Sequence, residues 1–146
     1  MERHVFMEHR NAVTCLEFHP SGDTLVSGSE DKSLILTSLR SGSLIRKLDG
    51  HDSALSGVAF SSDGLSILSG SGRSSDDSDT DNSLRIWDYA TLQVVSDFTG
   101  HNAAVHAVSV SINGEYVASS SGELEDPSGD NSIIIWKVVG GREVKR

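Results

Sequence analysis

The chain repeats itself, and nothing else in it limits the possible folds as tightly. Three stretches run in phase: "HRNAVTCLEFHPSGDTLVSGS", "HDSALSGVAFSSDGLSILSGS" and "HNAAVHAVSVSINGEYVASSS". After a gap they resume as "DKSLILTS", "DNSLRIWD" and "DNSIIIWK". His9 to Ser27, His51 to Ser69 and His101 to Ser119 are each steps of 18. Asp31 to Thr37, Asp81 to Trp87 and Asp130 to Trp136 are each steps of 6. Only the interval between Ser and Asp varies, at 4, 12 and 11, so the second and third copies carry insertions of 8 and 7 residues at one shared place. The bare period, His9 to His51, is 42 residues. A unit of that size cannot bury its apolar surface alone, so successive copies must stack. The repeats are placed at about 4–43, 44–93 and 94–146 of a single region.

The local pattern is that of strands. Apolar runs of about four to six residues are separated by Ser, Gly, Asp and Asn, and no segment holds a 3.6-residue period for several turns. Four strands are read in each repeat. One precedes the His: Val5–Glu8, Leu44–Asp49 and Val94–Phe98. One follows it: Val13–Phe18, Leu55–Phe60 and Val105–Val110. Turns at "PSGD", "SSDG" and "INGE" lead into a third: Thr24–Gly28, Leu65–Gly70 and Tyr116–Ser120. The fourth is Ser33–Ser38, Ser83–Asp88 and Ser132–Val138. "SIIIW" is apolar on both faces and is expected to be buried on both.

Composition narrows the function. The net charge is −9, from 12 basic and 21 acidic side chains. Sequence-independent nucleic-acid binding needs clustered Lys and Arg, and docking on anionic lipid needs the same, so neither partner is expected. Cys15 is the sole cysteine, which rules out a disulfide framework within the chain and a four-thiolate metal site. "MERHVFMEHR" has no apolar run of signal-peptide length. An intracellular protein, cytoplasmic or nuclear, is expected.

Gly50-His51 and Gly100-His101 at the repeat starts, and Trp87-Asp88 near a repeat end, resemble the tryptophan–aspartate (WD) repeat of β-propellers. The resemblance covers about residues 7–137. It implies an all-β fold of three blades, each a four-stranded antiparallel sheet, forming part of a propeller or one completed by association. It also implies a hydrogen-bonded tetrad in each blade. Those sets are His51, Ser69, Asp81 and Trp87, then His101, Ser119, Asp130 and Trp136. The carboxylate is expected to take donors from the His N–H and Ser O–H, and the Ser oxygen to accept the indole N–H. The first repeat offers only His9, Ser27 and Asp31, with Glu8 in place of Gly and Thr37 in place of Trp. The third has Lys137 after its Trp.

Propellers have about 4–8 blades, and three repeats do not close a ring. Self-association, membership of a larger propeller, or an arc awaiting a partner would each cover the end blades. The His, Ser and Asp sets are read as structural and not catalytic, because they recur, whereas an active site is normally single. His4, His19 and His106 have no companions at metal-ligand spacing and are read as ordinary surface or strand residues. Asp77, Asp79 and Asp81 alternate as in a calcium loop, but Asn82 stands where the turn Gly is needed, so no metal is assigned. Gly70 and Gly72 lack the rest of a phosphate-binding motif. No catalytic residue and no cofactor is assigned.

The insertions are the candidate recognition loops. Asp76, Asp77 and Asp79 lie in the first, and Glu123, Glu125 and Asp126 in the second. With Asp81, Asp130 and Arg73 these segments carry −7 of the net −9. Side by side on one rim they would attract a basic segment of a partner protein. The role that the resemblance implies is a non-enzymatic platform for other proteins, self-association and other WD-repeat chains included. The alternatives are a structural piece of a larger propeller and a propeller-type hydrolase.

Overall fold

A computed structural model describes residues 3–72, 81–122, 130–139 and 142–144. The described chain is all strand and turn. The first sheet contains β1 (Val13–Phe18), β2 (Thr24–Ser29), β3 (Ser33–Ser38) and β4 (Ser43–Asp49). The second contains β5 (Leu55–Phe60), β6 (Ser66–Ser71), β7 (Leu84–Asp88) and β8 (Val94–Phe98). The third contains β9 (Val105–Val110), β10 (Tyr116–Ser121), β11 (Ile133–Val139) and β12 (Arg142–Val144). Every sheet is an antiparallel meander in chain order. Glycines at positive φ make the turns after the first strand of each sheet: Gly22, Gly64 and Gly114, at 77°, 73° and 70°.

Two strand readings need correction. Val5–Glu8 is not a strand. The strand preceding each His closes the sheet before it, so Ser43–Asp49 pairs with β3 and Val94–Phe98 with β7. Sheet and sequence repeat are thus offset by one strand. The short links after β3 and β7 favour a hairpin partner already in place over a sheet not yet begun.

The sheets stack through two apolar seams. Val26, Leu34, Leu36 and Leu48 of the first sheet meet Leu55, Val58, Ile67 and Trp87 of the second. Leu68, Leu84, Ile86 and Phe98 of the second meet Val105, Val117 and Trp136 of the third. Each sheet therefore has an entry face, which carries the Trp position and looks back along the stack, and an exit face, which looks forward. Polar contacts reinforce the first seam. Thr14 Oγ1 donates to the Leu55 carbonyl at 2.6 Å and the Tyr89 hydroxyl to Thr24 Oγ1 at 3.3 Å.

"SIIIW" departs from its expected double burial. Trp136 is buried, but Ile133 and Ile135 are 74% and 67% exposed. Their counterparts Leu84 and Ile86 are 0% and 5% exposed. No described sheet lies beyond the third to cover its exit face.

Candidate functional site

The polar residues read from the spacing come together three times. In the second sheet His51 Nδ1 lies 3.1 Å from Asp81 Oδ2 and Nε2 lies 2.7 Å from Ser69 Oγ. The Trp87 indole N–H donates to the same Ser69 Oγ at 2.8 Å. In the third the three distances are 2.9 Å (His101–Asp130), 2.8 Å (His101–Ser119) and 3.0 Å (Trp136–Ser119). In the first His9 reaches Asp31 at 3.1 Å and Ser27 at 2.8 Å. Thr37 makes no bond to Ser27 that parallels the indole bond.

Proton logic orders the chain of bonds. A carboxylate only accepts, so the His Nδ1 carries a proton and donates it. In the neutral ring Nε2 then accepts from the Ser hydroxyl, whose oxygen is left to accept the indole N–H. The Ser does not serve the carboxylate directly, contrary to the expectation. Asp81 accepts instead from the Asp52 N–H at 2.8 Å and the Ser83 N–H at 3.2 Å. The Arg10 and Asn102 N–H groups do the same for Asp31 and Asp130, at 2.8 and 3.0 Å.

Burial pushes the Asp81 carboxyl up, but its donors from His51, Ser83 and the Asp52 N–H outweigh that and hold it far below the usual carboxylate range. Asp31 is held equally low against its burial by Ser33, the Arg10 N–H and His9. Asp130 is lowered to about 2 by Ser132, His101 and the Asn102 N–H. Each carboxylate thus stays charged and fixes its His and the residue after it to the loop entering the third strand of the sheet.

A second recurring Ser was not singled out from the sequence. Ser29, Ser71 and Ser121 are buried two residues after the first Ser. Ser71 Oγ donates to the Asp81 carbonyl at 2.8 Å, Ser121 Oγ to the Asp130 carbonyl at 3.0 Å, and Ser29 Oγ to the Asn11 carbonyl at 3.2 Å. The signal was present, since these serines keep the same repeat phase as Ser27, Ser69 and Ser119.

The Gly of Gly-His has its reason here. A Cβ on Gly100 would stand 2.8 Å from Trp136 Cη2, and one on Gly50 3.1 Å from Trp87 Cη2. The first repeat has no indole, and there Glu8 is accommodated. Its two departures from the motif are one compensated change.

His19 is more than an ordinary surface residue. It stacks on Tyr89 at 4.7 Å, meets Phe60 edge-on at 5.0 Å, and its Nε2 lies 3.1 Å from the Gly64 carbonyl oxygen, which joins the first two sheets. The acidic loop residues Asp76, Asp77, Asp79, Glu123, Glu125 and Asp126 lie outside the described residues. Their anchor points are described: Gly72 and Asp81 flank the first insertion, between β6 and β7, and Gly122 and Asp130 the second, between β10 and β11. Among the described residues no helix is long and apolar enough to cross a membrane.

Comparison with known proteins agrees with this geometry. The family described as "WD domain, G-beta repeat" matches residues 2–38, 42–88 and 92–137. The chain is 35% identical over 99 residues to the nuclear distribution protein nudF of Aspergillus niger, covering 64% of this chain and 21% of that protein. It is 42% identical over 57 residues to the nuclear distribution protein PAC1-1 of Uncinocarpus reesii, covering 39% of this chain and 13% of that one. The crystal structure of RRP9 WD40 repeats superposes with a TM-score of 0.79 at 27% identity, covering 95% of this chain and 39% of that chain. The chain thus spans about a fifth or less of the curated relatives it matches. With three matched repeats, three meander sheets and a His–Ser–Asp clasp in each, this chain belongs to the WD40 repeat family.

Proposed function

We propose that the chain is a non-enzymatic scaffold for other proteins, with recognition on the rim that bears the two acidic insertions. Repeats of this family generally mediate protein interactions. The observation that carries the reading is the recurrence of the clasp. Its His side chains in the second and third sheets are 1% and 0% exposed, and each carboxylate is consumed by protein donors. A buried imidazole whose two nitrogens are both engaged holds strands in place and has nothing to offer a substrate. The insertions leave equivalent points of adjacent sheets, which supports their emergence on one side. Their charge suits a basic segment of a partner. Similarity to nuclear distribution proteins supports an intracellular setting.

The test is charge reversal. With Asp76, Asp77 and Asp79, and Glu123, Glu125 and Asp126, changed to Lys, the affinity for a Lys- and Arg-rich peptide should fall at least tenfold and lose its salt dependence. Unchanged affinity would remove the rim as the recognition surface. A panel of hydrolase substrates tests the enzymatic alternative, and turnover abolished by His51→Ala would establish it.

A second reading, a structural part of a larger or assembled propeller, is favoured by the open end faces. Native mass and pull-down of other WD-repeat chains discriminate it.

A further inference from the structure

Resting on the second reading, an assembled propeller, we propose that a second copy of this chain seats its first sheet on the third sheet, head to tail, and repeats the seam that joins the sheets inside the chain. The two open faces are the two halves of that seam. On the entry face of the first sheet, Val13, Leu16 and Phe18 occupy the positions of Leu55, Val58 and Phe60. They are 53%, 58% and 57% exposed, where their counterparts are 0%, 8% and 8%. On the exit face of the third sheet, Ile133 and Ile135 occupy the positions of Leu84 and Ile86 and are the more exposed members of each pair. Twice among the described sheets an entry face covers an exit face, and the described stack leaves one of each kind uncovered.

Size complementarity selects the first sheet as the occupant. In the first internal seam Tyr89, on the entry side, meets Thr24 on the exit side. In the second, Val138 and Ser66 hold the equivalent positions, and both line a pocket of about 190 Å³. The exit face of the third sheet has Tyr116 at this position, 41% exposed. The entry side of the first sheet has Leu39 there. The phases are fixed by equivalent backbone bonds, Leu39 N to Asp23 O, Tyr89 N to Leu65 O and Val138 N to Glu115 O. The ring has changed sides, so Leu39 against Tyr116 again sets one large residue against a smaller one.

The new seam is looser than the internal two. Thr37 replaces the indole and contributes to a groove of about 360 Å³ with Phe6, Met7, Leu25 and Ile35. Ser120 stands where Gly28 and Gly70 approach the neighbouring strand, and a Cβ on Gly70 would lie 2.8 Å from Val105 Cγ1. Association is therefore concentration-dependent.

Light scattering behind gel filtration tests the seam on the full chain. At high concentration the mass should exceed the 15.6 kDa of one chain, by a factor of two for a closed pair or more for an open string. Leu16→Asp and Ile135→Asp, each at an exposed position, should separately return the chain to 15.6 kDa with unchanged circular dichroism. Mixed together they should form a heterodimer, since one keeps a sound exit face and the other a sound entry face. Tyr116→Ser should weaken association, and Leu39→Tyr added to it should restore it. A wild-type monomer at all concentrations, or masses unmoved by Ile135→Asp, would overturn the proposal and leave the end faces to another chain. The loop variants and the seam variants change different residues, so failure of the rim reading and failure of this seam are separate results.

Discussion

At the scale of single residues, the clasp works because one acid, one imidazole and one hydroxyl form a directional series with a single consistent assignment of protons. Removing the acceptor strands several donors at once. Asp81→Ala leaves the His51, Asp52 and Ser83 N–H groups without their carboxylate and should cost about 2–3 kcal/mol, read from the urea midpoint. The pH dependence follows from the direction of the shifts. Folded-state values of Asp31, Asp81 and Asp130 lie below the unfolded value of about 3.9, so their contribution is complete above that pH. It is lost as pH falls, for Asp130 through about 2. The thermal midpoint should therefore drop between about pH 4 and pH 2, and Asp130→Asn should flatten part of that drop. The Gly–Trp contact predicts non-additivity. Gly100→Ala should destabilise by about 1–3 kcal/mol, and by much less when Trp136→Thr has already removed the wall it strikes.

At the scale of the element, each sheet is closed by a strand that the repeat phase assigns to its successor. The consequence is a clamp. β8 completes the second sheet and places Phe98, fully buried, against Trp136 of the third at 5.4 Å. Phe98→Ala should cost about 3–5 kcal/mol by the same urea measurement, whereas Val94→Ala on the exposed end of that strand should change little. Strand positions and the tetrads were legible because a repeated pattern has three chances to show its register. The segment before His9 was misread as a strand, since an apolar run of strand length has no hairpin partner there, and β12 was not read from the sequence. His19 was missed because its role lies in two rings of the next sheet, which no local pattern announces. Ser29, Ser71 and Ser121 were legible and passed over among many serines.

At the scale of the whole molecule, stability and association are one question. Each internal seam buries an entry face on an exit face, and the described stack has one unpaired face at either end. Under the proposed seam, mass action makes the thermal midpoint rise with protein concentration. A tenfold dilution series by calorimetry should show it, and Ile135→Asp should abolish the dependence. The sequence alone determined the repeat, its four-strand unit and the residues of each clasp, because spacing of polar groups and alternation of apolar ones are local, covalently ordered properties. Which sheet a strand joins, and whether Ile135 is covered as Ile86 is, were decided only by the tertiary structure. The two isoleucines sit in near-identical strands, and burial belongs to a pair of surfaces and not to either one.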